Sequence, residues 1–185
     1  MSDNHSYKGK ILIADPFLQG PYFERSVVFM AEHNHEGAMG FILNQPTGIL
    51  VEQAVDQITN CEFPIYYGGP VDDDILFYVH SLGYKIKNSV QINDRLFWGG
   101  DFNELCDLIK KNKVRADEIK FFVGYSGWSK LQLENEMENK SWITDELKTS
   151  YLFGNHNKKL WNKCLEAKNN NLSLYSKFEH TPSLN

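Results

Sequence analysis

A chain of 185 residues is the size of one domain, and it can bury roughly two-thirds of its unfolded surface without disulfide or metal staples. Apolar residues make up 42% and aromatics 14%, with a formal net charge of −5. That balance argues against a nucleic-acid reader, whose affinity comes from Lys and Arg neutralising phosphates, and no apolar run approaches the ~18–20 residues of a membrane span.

The three cysteines, Cys61, Cys106 and Cys164, are more than 40 residues apart. No pair has a zinc or redox spacing, and a sparse, odd count suits a reducing compartment. The start, Met1 to Lys8, is polar and lacks the apolar core of a signal peptide. The expectation is a cytoplasmic protein.

In chain order, residues 1–8 read as a polar tail and Gly9 to Ala14 as a first strand carrying Ile11, Leu12 and Ile13. Asp15-Pro16 opens a loop through Pro21. Ser26 to Glu32 is a strand, Asn34 to Gly37 a turn, and Ala38 to Leu43 the returning strand, so the pair is a hairpin. Asn44-Gln45-Pro46-Thr47-Gly48 ends it. Val51 to Ile58 has apolar residues at helical spacing. Ile65 to Gly69 and Ile75 to His80 read as strands joined through Gly68-Gly69-Pro70 and the acidic run Asp72 to Asp74. A loop with a short strand covers Leu82 to Asn93, and Arg95 to Trp98 is a strand end. Phe102 to Lys111 is a helix, Ile119 to Gly124 a strand broken at Ser126-Gly127-Trp128, Leu131 to Glu138 a helix, and Asn157 to Ala167 the last helix. Asn169-Asn170-Asn171 ends that helix, and 172–185 is an irregular tail. No linker divides the strand-rich first half from the rest, so residues 1–185 are expected to form a single domain.

Several residues along this path have two readings. Arg25, beside Glu24 at the entrance to a strand, is a buried structural cation, a ligand or anion contact, or part of a solvated flank; its planar fork suits the first two. His33 and His35 are two apart and would share a face of an extended strand, a spacing that can hold a metal together with Glu32 or Glu36. Catalytic zinc normally takes three protein ligands and no third is evident, so the expectation is no metal, with His33 and His35 as the weak candidates. His33 alone reads better as a satisfied edge histidine. Asn44 is either a turn residue bonding local backbone or part of a backbone-rimmed pocket. Gly68-Gly69 and Gly99-Gly100 are turns or anion sites, but no Lys follows at Walker spacing and no Gly-x-Gly-x-x-Gly is present. Asp101 or Asn103 as a helix N-cap is the simpler account. Gly124-Tyr125-Ser126-Gly127-Trp128 tempts a nucleophile reading, but the Gly-x-Ser-x-Gly elbow fails because Trp128 stands where its second glycine belongs.

Taken in order, Phe23-Glu24-Arg25-Ser26-Val27-Val28, Glu32-His33-Asn34, Glu36-Gly37-Ala38-Met39-Gly40, Asn44-Gln45-Pro46-Thr47, Gly68-Gly69-Pro70-Val71, Gly124-Tyr125-Ser126-Gly127-Trp128, Gln132-Leu133-Glu134 and Trp142 resemble the AlgH/YqgE family of uncharacterised bacterial proteins. The resemblance runs from about Gly9 to Trp142. Where the family has a Pro-Gly-like pair after the Gly-Trp segment, this chain has Ser129-Lys130-Leu131. The closing Thr181-Pro182-Ser183-Leu184-Asn185 is similar to the Bacteroidetes branch. The resemblance implies an α+β fold with a bifurcated, mostly antiparallel sheet curled into a pseudo-barrel with flanking helices. It also brings the label of transcriptional regulator, yet the chain shows no helix-turn-helix with a basic recognition helix.

The resulting expectation is a non-catalytic binding or regulatory protein, without cofactor, that acts through a protein or a small ligand. Its ligand-binding candidates are Arg25, His33, Asn44, Gly68, Gly69, Ser126 and Trp128. The alternative is a hydrolase-like enzyme with His33 and Ser126 as catalytic candidates in a pocket near Arg25. Convergence of these residues on one concavity would favour a ligand or enzyme site. Scattered side chains bonded to backbone would make them determinants of the fold.

Overall fold

The computed structural model describes residues 6–59 and 61–168. The expected ending of the last helix at 169–171 and the tail at 172–185 lie outside the described residues. The first strand, β1 (Lys10–Ala14), is fully buried from Ile11 onward. Consecutive apolar residues, rather than alternating ones, mark a strand covered on both faces. It pairs antiparallel with β2 (Val27–Asn34), which forms the hairpin with β3 (Gly37–Ile42). A bulge between Met30 and Glu32 shifts the hairpin register, and the Asn34 side chain accepts the Glu36 amide at 2.8 Å to close the turn.

The centre of the sheet is β9 (Ile119–Ser129). The expected break at Ser126-Gly127-Trp128 does not occur, because the second half of β9 changes partner instead of ending. Phe121 to Val123 run parallel to β5 (Pro64–Tyr67), whereas Ser126 to Ser129 pair antiparallel with β3. The opposite edge of β9 pairs with β6 (Val71–His80), which in turn carries β8 (Phe97–Trp98) and then β7 (Val90–Gln91). This gives a forked, curled, mostly antiparallel sheet. The acidic run 72–74 was expected as a connection but lies within β6. Pairing with β9 slips between Val71 and Leu76, and that irregularity lets the carboxylates face solvent while the flanking residues keep their partners.

Three further elements were not read from the sequence. The segment after Asn44 returns as β4 (Pro46–Leu50), paired with β5. β10 (Trp142–Glu146) extends the sheet beyond β1, and α4 (Thr149–Phe153) is a short helix whose Tyr151 and Leu152 are buried. The helix expected over 51–58 is a single turn, α1 (Val51–Ala54), after which Val55 returns to extended backbone. Three of its residues, Val51, Val55 and Ile58, are β-branched and disfavour helix, yet Val51 and Ile58 still reach the core.

The core has two parts. One is built from β1, β2 and β3 under α3 (Gln132–Glu138), α4 and α5 (Lys159–Ala167); Trp161 of α5 donates its indole N–H to the Ala14 carbonyl at 2.8 Å. The other joins Tyr78, Ile119 and Phe121 to Leu105, Cys106 and Ile109 of α2 (Phe102–Lys110). Asp101 caps α2 by accepting the Asn103 and Glu104 amides, so the second Gly-Gly turn feeds an ordinary helix start. No helix among the described residues is long and apolar enough to cross a membrane.

Candidate functional site

Arg25 and Asn44 meet where the loop 15–25 enters β2. Arg25 holds a left-handed backbone (φ 52°), uncommon for a residue with a side chain. Buried Asn44 holds this turn from both sides: its Oδ1 accepts the Val27 amide at 2.9 Å and its Nδ2 donates to the Arg25 carbonyl at 2.9 Å. The Ser26 hydroxyl donates to the Phe23 carbonyl, tightening the same turn. The Arg25 guanidinium lies 5.3 Å from the centre of the Trp161 ring, a cation–π contact that ties the loop to α5.

Gly68, Gly69 and Ser126 meet at the fork. The Gly68 amide donates to Val123, and its carbonyl accepts both the Ile42 amide at 3.0 Å and the Ser126 hydroxyl at 2.9 Å. One carbonyl therefore joins β3, β5 and β9. The backbones cross so closely that a Cβ on Gly68 would strike the Gly124 carbonyl, and one on Gly69 would strike the Tyr125–Ser126 peptide. Ser126 is fully buried, with its hydroxyl given to Gly68.

His33 stands at the far end of the hairpin. Its Nδ1 accepts the Tyr7 amide at 3.1 Å, and its Nε2 lies 3.0 Å from Glu134 Oε1 on α3. This fixes the neutral tautomer as the Nε2–H form and anchors the described end of the N-terminal tail. His35 sits in the turn, not on the strand. Its exposed ring pairs with Glu36, so the shared face expected of His33 and His35 is not formed. No group of three or more metal-ligating side chains occurs among the described residues. Across the sheet, His33 is level with Ala38 of β3 and Trp128 of β9, and Ser126 lies two residues further along β9. Two strand spacings and two residues of rise separate the Ser126 and His33 Cα atoms by roughly 12 Å, and Arg25 lies roughly 25 Å from His33 along β2. The residues proposed from sequence therefore fall into separate clusters.

Trp128 belongs to a fourth arrangement. Glu136 Oε2 accepts the indole N–H of both Trp128 and Trp142, each at 2.8 Å, while Oε1 accepts Gln132 Nε2. Phe23 stacks on Trp128 and meets Trp142 edge-on, at ring distances of 6.1 and 5.5 Å. One carboxylate on α3 thus ties β9 to β10, and the Phe23 ring packs the entry loop against both indoles.

Two concavities border these clusters. The larger, about 520 Å³, lies over the Arg25–Asn44 turn and is rimmed by Tyr22, Glu24, Gln45, Pro46 and Lys158. The other, about 430 Å³, is a shallow trough beside Glu32, Met39, Tyr125 and Trp128.

Two buried titratable groups were not found from sequence. His80 accepts the Leu82 amide at Nδ1 and meets the Gly99 carbonyl and Ser89 hydroxyl at Nε2, seating the second Gly-Gly turn. Burial holds its imidazole below the usual range. Lys120 is only 4% exposed; its Nζ donates to the Gly154 carbonyl at 2.9 Å and lies 3.3 Å from the centre of the Tyr66 ring. Desolvation brings its pKa down to about 7. The signal for Lys120 was available: in Ile119-Lys120-Phe121-Phe122-Val123, strand alternation places the lysine on the same face as buried Phe122. The three cysteines are buried, and burial raises each thiol, Cys164 to about 12. Such thiols are protonated and poor nucleophiles.

The described residues thus form an α+β domain whose forked sheet is stitched by glycine, asparagine and serine. The AlgH-like family model matches residues 11–173, and the chain belongs to that family. It is 39% identical over 180 residues to a UPF0301 protein of Parabacteroides distasonis, covering 96% of this chain and 91% of the relative. It is also 39% identical over 179 residues to one of Cytophaga hutchinsonii, covering 96% and 98%. The solution structure of the AlgH protein from Pseudomonas aeruginosa superposes with a TM-score of 0.76 at 26% identity, covering 98% of this chain and 99% of that one. A Corynebacterium diphtheriae crystal structure shares the fold at a TM-score of 0.75 and 23% identity, covering 96% and 95%.

Proposed function

We propose that this chain is a binding protein, and that the groove over the Arg25–Asn44 turn receives a small ligand. The observation that carries this reading is the groove itself. Its volume of about 520 Å³ falls in the range of small-molecule sites, and the Asn44 clamp gives it a fixed floor. Arg25 and Lys158 offer positive charge, Glu24 one negative charge, and Tyr22 and Pro46 apolar surface. This set suits a small molecule with an anionic group and a flat apolar part. A regulatory role through a protein partner is the second reading. It is favoured by Phe17 and Tyr22, which leave 65% and 46% of their surface exposed on the loop that forms the groove's edge.

The test is native mass spectrometry of the chain purified without denaturation, followed by titration with any small molecule found. The groove reading expects Tyr22→Ala and Lys158→Ala to weaken binding at least tenfold while the melting temperature holds. Equal binding by both variants would place the ligand elsewhere and overturn it.

A further inference from the structure

Lys120 belongs to none of the clusters above, and its surroundings suit a different chemistry. It sits on β9 between the buried residues Ile119 and Phe121. Among the described residues, its direct partners are one carbonyl, that of Gly154, and the face of Tyr66; no carboxylate pairs with it. An ammonium has three N–H donors, so this environment leaves a charged amine under-served and favours a neutral one. Lys120 and Tyr66 line a small cleft of about 60 Å³ walled by Phe63, Pro64, Phe121 and Phe153. Exposed Glu62, Ala116 and Asn155 stand at the mouth. The space admits a molecule of a few heavy atoms, and Glu62 disfavours an anionic one.

We infer that Lys120 is a nucleophilic amine that captures a short, uncharged carbonyl compound, a small aldehyde, as a Schiff base. This goes beyond the ligand groove and is independent of it. In the reaction the neutral amine adds through its lone pair to the carbonyl carbon, giving a carbinolamine. Loss of water, which carries away the former carbonyl oxygen with two protons, leaves the C=N bond. The amine and aldehyde become imine and water, with no redox change. Lysines desolvated in apolar pockets are activated in this way because the unprotonated form is the nucleophile. The titratable groups facing the amine's surroundings are Tyr66 on β5, Glu62 at the mouth and His156 after α4. The His156 amide donates to the Tyr66 hydroxyl at 3.0 Å, and its imidazole is held low by burial.

The test is brief exposure of the intact chain to acetaldehyde and cyanoborohydride at pH 7, with peptide mass mapping of every lysine. Lys120 is expected to be alkylated at least tenfold faster than the exposed lysines, with the advantage shrinking at pH 10, where they too become nucleophilic. Ala116→Phe, at an exposed position on the mouth, should slow labelling of Lys120 alone. A bulky aromatic aldehyde should label Lys120 far more slowly than acetaldehyde does. Alkylation of Lys120 no faster than that of exposed lysines would overturn the inference. So would equal labelling by the bulky aldehyde, which would mean that the amine reacts through opening of the fold and not through the cleft.

Discussion

Replacing Lys120 by Met removes a buried charge while keeping an unbranched chain of similar length. The wild-type amine falls from 10.5 to about 7 on folding, so at pH 7 its desolvation opposes folding by about 4 kcal/mol. Losing the hydrogen bond to Gly154 subtracts about 1 kcal/mol from what the substitution recovers. Lys120→Met should therefore stabilise the fold by about 3 kcal/mol at pH 7, or roughly 6–12 °C in melting temperature. The pH profile is more diagnostic. Because the folded pKa is depressed, the unfolded chain holds a proton that the folded chain lacks between pH 7 and 10.5. The wild type thus gains stability from Lys120 as pH rises through that window, with no contribution to the slope well below pH 7. The Met variant lacks this gain, so the difference between them narrows and then reverses on the alkaline side. Urea unfolding of both proteins from pH 6 to 10 measures it. Parallel profiles, or a Met variant less stable by more than 2 kcal/mol throughout, would refute the reasoning and mean that the amine is charged and well paired in the fold.

Other substitutions probe the stitching. Asn44→Ala removes the partner of the Val27 amide and the Arg25 carbonyl and should cost roughly 2–4 kcal/mol in urea unfolding; Asn44→Asp, which keeps the acceptor but sets a second oxygen against the Arg25 carbonyl at a buried position, should cost no less. Gly69→Ala forces a Cβ into the Tyr125–Ser126 backbone and should cost about 3 kcal/mol or more; a loss under 1 kcal/mol would show that the fork can relax. Glu136→Ala leaves two indole N–H groups unpaired, so about 2 kcal/mol should be lost and tryptophan emission should shift to the red. For His80, burial favours the neutral ring, so its contribution is complete above the unfolded value of about 6.5 and is lost as pH falls below it. An NMR titration should place the midpoint of the folded ring below that of the unfolded chain, and a midpoint at or above it would sink the assignment.

The regular strands were legible because their signal is local. Ile11 to Ile13, Val27 to Ala31 and Phe121 to Val123 are apolar runs, and each is a strand. β4, β10 and the second half of β9 were hidden for a common reason. Their sequences, Pro-Thr-Gly-Ile-Leu, Trp-Ile-Thr-Asp-Glu and Ser-Gly-Trp-Ser, carry turn or polar residues, and pairing across the fold makes them strands. Ser126-Gly127 looked like a stop because glycine and serine usually mark turns. At the fork they are small residues required by a close crossing. The candidate residues were visible as polar groups in apolar settings, but their grouping was not. Whether Ser126 faces a histidine or the Gly68 carbonyl depends on a contact 58 residues distant, which no local pattern carries.

The same fact bears on why a sequence so rich in conspicuous polar motifs spells out no reaction. Asn44, Ser126 and Glu136 each place their polar atoms on groups from other segments: the two sides of the Arg25 turn, a carbonyl shared by three strands, and two indoles from different strands. A buried polar group that joins segments in this way specifies one arrangement, because any other leaves it unsatisfied. A forked sheet needs such specification more than a simple one does, since the halves of β9 must separate between β5 and β3 at one residue. A slip of one position would turn every side chain of β9 to the wrong face. On this reasoning the buried polar atoms of these motifs fix the register, whereas the Lys120 amine, among the described residues, meets a carbonyl and a ring face and is not needed for that task.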